Sequence, residues 1–269
     1  MRQHRLGPGS LAVVSLVVMC AALAPYLVGS DPLRQRPDML LEPPSRDAPL
    51  GTDELGRDVL SRVVYGARYS VAIGLVSVAL GVGVGAAAGT VGGYFGGRAD
   101  MVLTWTVDVL MAFPGVLLAI LIVSVVGSGL ANVMMAVGLF SVPVFARIAR
   151  SSAIQLRAQE FVEAARALGA GHLRVLWHHV LRNSLAPIVV YSTLRVATAI
   201  LVGASLSFLG LGVAPPTPEW GTMISTGREY FREAPHVVIF PGLAIFLTVL
   251  SVNFLGDILR DALDPRLRE

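Results

Sequence analysis

Lysine is absent from this chain of 269 residues, and all 21 of its basic residues are arginine. A nucleotide-binding P-loop needs a lysine beside its glycine-rich turn to reach the terminal phosphates. The absence of lysine therefore excludes a standard P-loop, and we expect any nucleotide hydrolysis to belong to a partner. The one cysteine, Cys20, lies in an apolar segment, and a single cysteine excludes an intrachain disulfide.

Charged residues are also scarce. They make up 14% of the chain, against 54% apolar residues, whereas soluble domains carry about 25% charged residues. This composition predicts a polytopic membrane protein and argues against a soluble enzyme. The arginines flank apolar segments, so the pI near 9.4 indicates a lipid bilayer and not nucleic acid as the partner. We recognise no nucleophile–base pair and no metal cluster, because the adjacent His178 and His179 would point in different directions on a helix.

Six apolar segments are candidate membrane spans, because about 20 such residues suffice to cross a bilayer core. They lie at roughly Leu11–Val28, Ser70–Tyr94, Val102–Val126, Val133–Ile148, Ile188–Leu209 and Val237–Leu255. The chain is therefore predicted to be an all-α membrane protein with about six transmembrane helices. A cleaved signal peptide is the alternative for the first segment, but Pro25 disfavours cleavage after Ala24, so we expect a retained helix.

The distribution of arginine predicts the orientation in the membrane. The region Arg147–Arg182 carries six arginines against Glu160 and Glu163, whereas Asp31–Arg68 and Gly210–Pro235 are close to charge-balanced. Because positively charged loops stay inside, the first region is predicted to be cytoplasmic. An even number of spans then places both termini in the cytoplasm.

Two units are predicted along the chain. Residues 1–69 form an anchor helix followed by an extracytoplasmic loop with an amphipathic helix, for which Thr52 is a suitable N-cap. Residues 70–269 form the membrane core, with a cytoplasmic loop at about residues 149–187. The prolines between Gly212 and Gly221 exclude a regular helix there, and we expect an ordered outer loop anchored by an interfacial Trp220.

Glycines recur at every fourth position of the second span. Residues at that spacing share one face of a helix, and small residues let membrane helices approach closely. The stripe predicts either packing inside the chain, or a face that contacts a second subunit or lines a pathway. Its members are Gly81, Gly85, Gly89, Gly93 and Gly97.

Asp108 and Arg195 lie inside apolar segments. Charges at such positions are costly and mark candidate functional sites. The alternatives are interfacial placement by snorkelling, a mutual ion pair, or a role in lining a pathway.

A polar island interrupts the apolar background between Ser151 and Pro187. Its pattern predicts two amphipathic helices, separated at Gly169, which can adopt the left-handed conformation that ends a helix. The alternative to a partner-binding hairpin is a pair of helices that lie on the membrane surface. The predicted apolar faces are Ile154, Phe161, Ala165 and Leu168 on the first helix, and Leu173, Leu176, Trp177, Val180 and Leu181 on the second.

The island resembles the EAA loop of ABC importer permeases, in the motif Glu163-Ala164-Ala165-x-x-x-Gly169 followed by His179-Val180-Leu181. The wider chain resembles the second permease subunit of dipeptide, oligopeptide and nickel importers. The similarity covers nearly the whole chain from about Pro49 onward, and five segments carry it. They are Pro49–Arg68, Asp108-x4-Phe113-Pro114, Ser205–Gly212, Pro215-Pro216 and Trp220-Gly221.

The resemblance implies a multi-pass subunit of the bacterial inner membrane that pairs with a second, similar permease as a heterodimer. It also implies two ATPase subunits, which bind ATP and magnesium, and an extracytoplasmic substrate-binding protein. This chain would then hold no cofactor and no metal. The island would act as a coupling helix that inserts into the ATPase, through Glu163, Ala164, Ala165, Gly169, Gly171 and Leu181.

The resemblance further implies import of di- or oligopeptides. Nickel, glutathione, heme or another small solute is the alternative cargo. A secondary transporter that needs no ATPase is a rival of another class, but it would predict inverted repeats and paired midplane charges. The chain departs from the family pattern at Arg182, where the family usually has proline. Arg182 lets the second helix continue, and Pro187 is predicted to end it.

Overall fold

The computed structural model describes residues 3–263, and helices make up nearly all the regular structure of this part. The first half contains α1 (Gln3–Leu27), α2 (Val59–Phe95), α3 (Gly97–Met111), α4 (Gly115–Val126) and α5 (Leu130–Arg157). The second half contains α6 (Glu160–Ala167), α7 (His172–Val175), a π-helical turn (Leu176–Leu181), α8 (Arg182–Phe208), α9 (Trp220–Gly227), a 3-10 turn (Arg228–Tyr230) and α10 (His236–Leu263).

The apolar helices agree with the predicted spans. In the described residues, five helices are long and apolar enough to cross a membrane, and the α3–α4 pair brings the number to six if it counts as one span. The span predicted at Val102–Val126 is divided into two helices, since α3 and α4 meet at an angle of 89°. Pro114 lacks an N–H and disfavours a helical conformation at Phe113, which explains the break.

The connections between the spans alternate between two ends of the helix bundle. Residues 28–58, 127–129 and 209–235 meet at one end, called the loop end, where Gly129 donates to the Gly212 carbonyl at 3.0 Å. Residues 158–181 form a hairpin at the other end, called the hairpin end. There the Tyr94 hydroxyl is hydrogen-bonded to His172 Nδ1 at 3.1 Å. The predicted location of both termini stays a prediction, since the outermost residues lie outside the described range.

Helix α2 begins at Val59, before the start at Ser70 that was predicted for the second span. Asp58 is its N-cap, and a carboxylate oxygen of Asp58 accepts from the Ser61 N–H at 2.8 Å. The predicted cap at Thr52 is wrong, because the buried Thr52 hydroxyl bonds across the loop, accepting from the Glu42 N–H at 2.9 Å. No separate amphipathic helix precedes α2 among residues 28–58. The proposed unit boundary at residue 69 falls within α2, and the division into two units stays a prediction.

Helices α2 and α5 pack closely along the glycine stripe. A methyl group built on Gly85 would lie 2.5 Å from the Val142 carbonyl oxygen, and one on Gly93 would lie 2.5 Å from that of Arg150. One on Gly81 would lie 2.6 Å from the Ser141 Cβ. The stripe therefore faces α5 of the same chain, and the missing side chains let the two backbones touch. Gly97 lies outside α2, at the start of α3.

We expect Gly89→Ala to destabilise this contact, because its methyl group would collide with the Ala146 backbone. Overpacking of this kind costs about 1–3 kcal/mol. Gly83→Ala is the matched control, since Gly83 lies on the same helix and has no atom within 4 Å of the added carbon. The midpoint of thermal unfolding of the purified permease should fall for Gly89→Ala and hold or rise for Gly83→Ala. Equal effects of the two variants would contradict the close contact.

Candidate functional site

The hairpin at residues 158–181 turns at Gly169. Gly169 has a φ of +86°, and the Ala170 N–H donates to the Ala165 carbonyl at 3.0 Å, while the Gly169 N–H donates to that of Arg166 at 2.9 Å. This pair of bonds is the Schellman arrangement that ends a helix with a left-handed residue. The predicted left-handed cap is therefore confirmed. No atom lies within 4 Å of a methyl group built on Gly169, so backbone conformation alone favours glycine there.

The hairpin is fastened to the bundle by a small apolar cluster. Val162, Val175 and Val180 are fully buried and pack with Tyr94 of α2 and Ala153 of α5. The predicted face is only partly the packed one. On the second helix, Leu176 and Val180 pack inward, while other residues of that face point away from the cluster. The hairpin has apolar residues on two sides, and the sequence pattern could not indicate which side the bundle covers.

The outward side of the hairpin carries large apolar side chains that nothing in the described structure covers. Phe161 is 44% exposed, Leu168 89%, Leu173 70% and Trp177 62%. Of the residues predicted to contact an ATPase, four are exposed and two, Ala165 and Leu181, are half-buried. The exposed four are Glu163, Ala164, Gly169 and Gly171.

The second helix of the hairpin runs directly into the fifth span. Residues His172–Phe208 form one helical path, which contains a π-helical turn at Leu176–Leu181. The predicted stop at Pro187 is wrong, because Pro187 lies inside α8. Before it, the Ser184 hydroxyl donates to the Val180 carbonyl at 2.8 Å. The hairpin is thus joined to a membrane helix without a flexible link, and a π-helical turn of this kind is frequent at functional sites.

The charges inside the spans do not pair with each other as one alternative proposed. Asp108 forms an ion pair with Arg147 of α5 at 3.0 Å, and both side chains are more than half exposed. Arg195 instead donates from Nε to the Ser141 hydroxyl at 3.3 Å, and its guanidinium carbon lies 4.3 Å from the ring centroid of Phe140. The two predicted sites therefore belong to different helix contacts, α3–α5 and α8–α5.

A buried ionic network at the loop end was missed in the sequence. Arg57 Nε contacts an oxygen of Asp53 at 2.7 Å, and Arg62 Nε contacts the same oxygen at 3.2 Å; all three side chains are 3% exposed. Arg62 also donates to the carbonyls of Pro32 and Pro216, at 3.3 and 3.4 Å. The network therefore joins α2 to both long segments of the loop end. The available signal was the short spacing of opposite charges, because Arg57 also contacts Glu54, three residues before it, at 2.7 Å.

Glu219 and Trp220 form a second anchor at the loop end. Trp220 is only 2% exposed, and its indole N–H donates to the Val63 carbonyl at 2.9 Å. It is a core residue and not the interfacial anchor that we predicted. Glu219 is fully buried, caps α9 by accepting from the Thr222 N–H at 2.9 Å, and accepts from the Ser70 hydroxyl at 3.1 Å. These two hydrogen bonds offset the cost of burying the Glu219 carboxylate.

The helix arrangement matches solved transporter structures. Chains of the inward-facing MetNI methionine ABC transporter superpose with TM-scores of 0.59 and 0.58, at 20% and 22% identity. The alignments cover 76% of this chain and 96% and 97% of the MetNI chains. At this identity the likeness shows the fold, which is that of an ABC importer permease.

The sequence comparisons define the family. Residues 79–269 match the model of the binding-protein-dependent transport system inner membrane component, and the chain belongs to this family. It is 47% identical to the glutathione transport system permease protein GsiD of Pectobacterium atrosepticum, over all of this chain and 89% of that protein. It is 42% identical to the dipeptide transport system permease protein DppC of Alkalihalophilus pseudofirmus, over all of this chain and 88% of that protein. The predicted resemblance is thus confirmed, and the chain is a multi-pass permease subunit.

We expect Asp53→Ala to destabilise the loop end strongly, because it leaves Arg57 and Arg62 buried without their shared carboxylate. Removing one partner of a buried ion pair costs about 3–5 kcal/mol. Asp47→Ala is the control, since Asp47 lies exposed in the same segment. Limited proteolysis should cleave residues 28–58 faster in Asp53→Ala than in Asp47→Ala. Equal cleavage rates would show that the network does not hold this segment.

Proposed function

We propose that this chain is a permease subunit of a bacterial inner-membrane importer that converts ATP hydrolysis by partner subunits into alternating access. The chain itself binds no ATP, no magnesium and no other cofactor in this proposal, in keeping with its lack of lysine. A second, similar permease completes the pathway as a heterodimer. Two ATPase subunits bind at the hairpin end, and an extracytoplasmic binding protein delivers substrate at the loop end.

The exposed apolar side of the hairpin is the observation that carries the ATPase contact. Leu168 and Trp177 are exposed together with charged residues such as Glu163, and apolar patches rimmed by polar residues mark protein–protein contacts. The opposite side is fixed to α2 and α5 through Val162 and Val175. Because the hairpin continues into α8 without a break, a displacement of its tip is transmitted to a membrane helix.

The loop end supports a contact with a binding protein. Its segments are joined by the buried network around Asp53 and by the core residue Trp220. A surface held in this way is preorganised, so a delivering protein meets little cost of ordering on binding.

The proposed cargo is a di- or oligopeptide. The relative DppC is a dipeptide permease and the relative GsiD a glutathione permease, and glutathione is itself a small peptide. Glutathione is therefore the second candidate, and it is favoured by the higher identity of 47%. Uptake of a labelled dipeptide and of labelled glutathione by the reconstituted complex distinguishes the two candidate cargoes. The true cargo should be taken up and should also stimulate ATP hydrolysis. Stimulation by neither would contradict a peptide importer.

We expect Glu163→Arg and Gly169→Val to uncouple transport while the protein still inserts. The first reverses a charge on the exposed side of α6, and the second forces a β-branched residue into a left-handed conformation, which costs roughly 1–2 kcal/mol. Substrate-stimulated ATPase activity and co-purification of the ATPase subunits should both fall.

Gly210→Val is the matched control for the backbone strain that Gly169→Val introduces. Gly210 has a φ of +79° and no neighbour within 4 Å of an added carbon, but it lies at the loop end. The ATPase subunits should co-purify with Gly210→Val as with the unaltered chain. If Glu163→Arg and Gly169→Val both kept full substrate-stimulated ATPase activity, the hairpin would not be the coupling element.

A further inference from the structure

A cleft at the hairpin end has no part in the coupling scheme above. It holds about 400 Å³ between the end of α2, the end of α5 and the hairpin. Nitrogen donors from three separate elements converge on this space, together with a tyrosine hydroxyl. The residues of its walls are Tyr94, Phe95, Arg157, Ala158, Arg166 and His172.

Neither guanidinium group of the cleft forms an ion pair within the described part of the chain. Arg157 donates from Nη1 to the Tyr94 carbonyl at a long 3.4 Å, and the Arg166 guanidinium carbon lies 5.1 Å from the Tyr94 ring centroid. Neither takes part in an ion pair among the described residues, whereas Arg147 and Arg150, further back on α5, are each paired with a carboxylate of α3. Two cations that line one cleft at a membrane edge and form no ion pair favour an anionic ligand.

The cleft is already shaped before any ligand binds. Tyr94 is 3% exposed and is held by the hydrogen bond to His172 at 3.1 Å. The chain then turns at Gly96, whose φ is +68°, and a methyl group there would lie 3.1 Å from Arg157 Nη1. Glycine thus leaves room for the guanidinium group. A preformed site binds with little loss of conformational entropy.

The cleft lies beside surface that is compatible with lipid. Phe95 ends the 37-residue apolar helix α2 and is 51% exposed. On α3, which follows at once, Met101, Val102 and Trp105 are 66%, 59% and 69% exposed. Exposed tryptophan is typical of the level of the lipid headgroups. A ligand with a charged head and an apolar tail therefore meets both of its requirements here.

We propose that this cleft binds a phosphate group, with Arg157 and Arg166 as the charged donors. Guanidinium groups bind phosphate oxygens in a fork geometry that suits their paired N–H groups. The Tyr94 hydroxyl and the His172 ring complete the polar lining. An anionic phospholipid headgroup and free phosphate offer this same chemistry, and the position at the end of α2 favours the headgroup. The proposal does not depend on which solute is transported.

The test compares two pairs of substitutions that remove the same charge. Arg157→Gln with Arg166→Gln alters the cleft, and Arg174→Gln with Arg182→Gln is the control, because both of these exposed arginines lie on the same hairpin path outside the cleft. Each form of the intact complex is placed in phosphatidylcholine vesicles with a rising fraction of phosphatidylglycerol, and the lipid retained after extraction is measured. A separate arm adds inorganic phosphate without phosphatidylglycerol and follows thermal unfolding.

The unaltered chain should retain phosphatidylglycerol over phosphatidylcholine, and the cleft pair should weaken this preference by about 30-fold, as expected when two arginine hydrogen bonds to the headgroup are lost. The control pair should keep most of the preference. Stabilisation by inorganic phosphate alone, lost in the cleft pair, would support the site with free phosphate as its source. Equal retention of both lipids with no effect of phosphate would overturn the proposal. Loss of the ATPase subunits from the cleft pair, in phosphatidylcholine vesicles without added inorganic phosphate, would also overturn it. The cleft would then be a contact with a protein.

Discussion

The close approach of α2 and α5 is the contact on which the rest of the molecule depends. Because Gly85 and Gly93 have no side chains, the backbones of these helices touch at two points, about two helical turns apart. Because lipid provides no hydrophobic force between helices, such packing is what holds them together. Helix α5 then carries the arginines that α3 binds, while α2 carries Tyr94, against which the hairpin packs. Both the bundle and the orientation of the hairpin follow from this one contact.

Charge is scarce in this chain, and most of the charges described above have a structural partner. At the loop end, Asp53 serves two buried arginines at once. Within the spans, the α5 arginines pair with α3, and Arg195 rests on the ring of Phe140. A buried charge is tolerated only when it is paired or hydrogen-bonded. The guanidinium groups of Arg157 and Arg166 contact Tyr94 but form no ion pair among the described residues, and large apolar side chains lie exposed on the outer face of the hairpin. Each indicates something outside this chain, the first an anion and the second a protein.

Local features were predictable to the extent that local physics determines them. The spans follow from hydropathy, and the turn at Gly169 follows from the need for a left-handed residue after α6. The amphipathic helix predicted to begin after Thr52 does not form, because Thr52 is a good cap in isolation but its hydroxyl is used across the loop. Pro187 was taken as a stop, although membrane helices tolerate proline when nearby side chains bind the freed carbonyls.

By itself, the sequence determined the class of protein, its spans, the lack of a P-loop and the resemblance to importer permeases, because composition and short motifs carry these. Only the tertiary structure decided which groups meet. Asp108 pairs with a residue 39 positions away, and Glu219 accepts from a hydroxyl 149 positions away. Such partners depend on how whole helices pack, on the 89° bend between α3 and α4, and on which side of the hairpin the bundle covers. Helical periodicity is the same for every packing arrangement and cannot distinguish them.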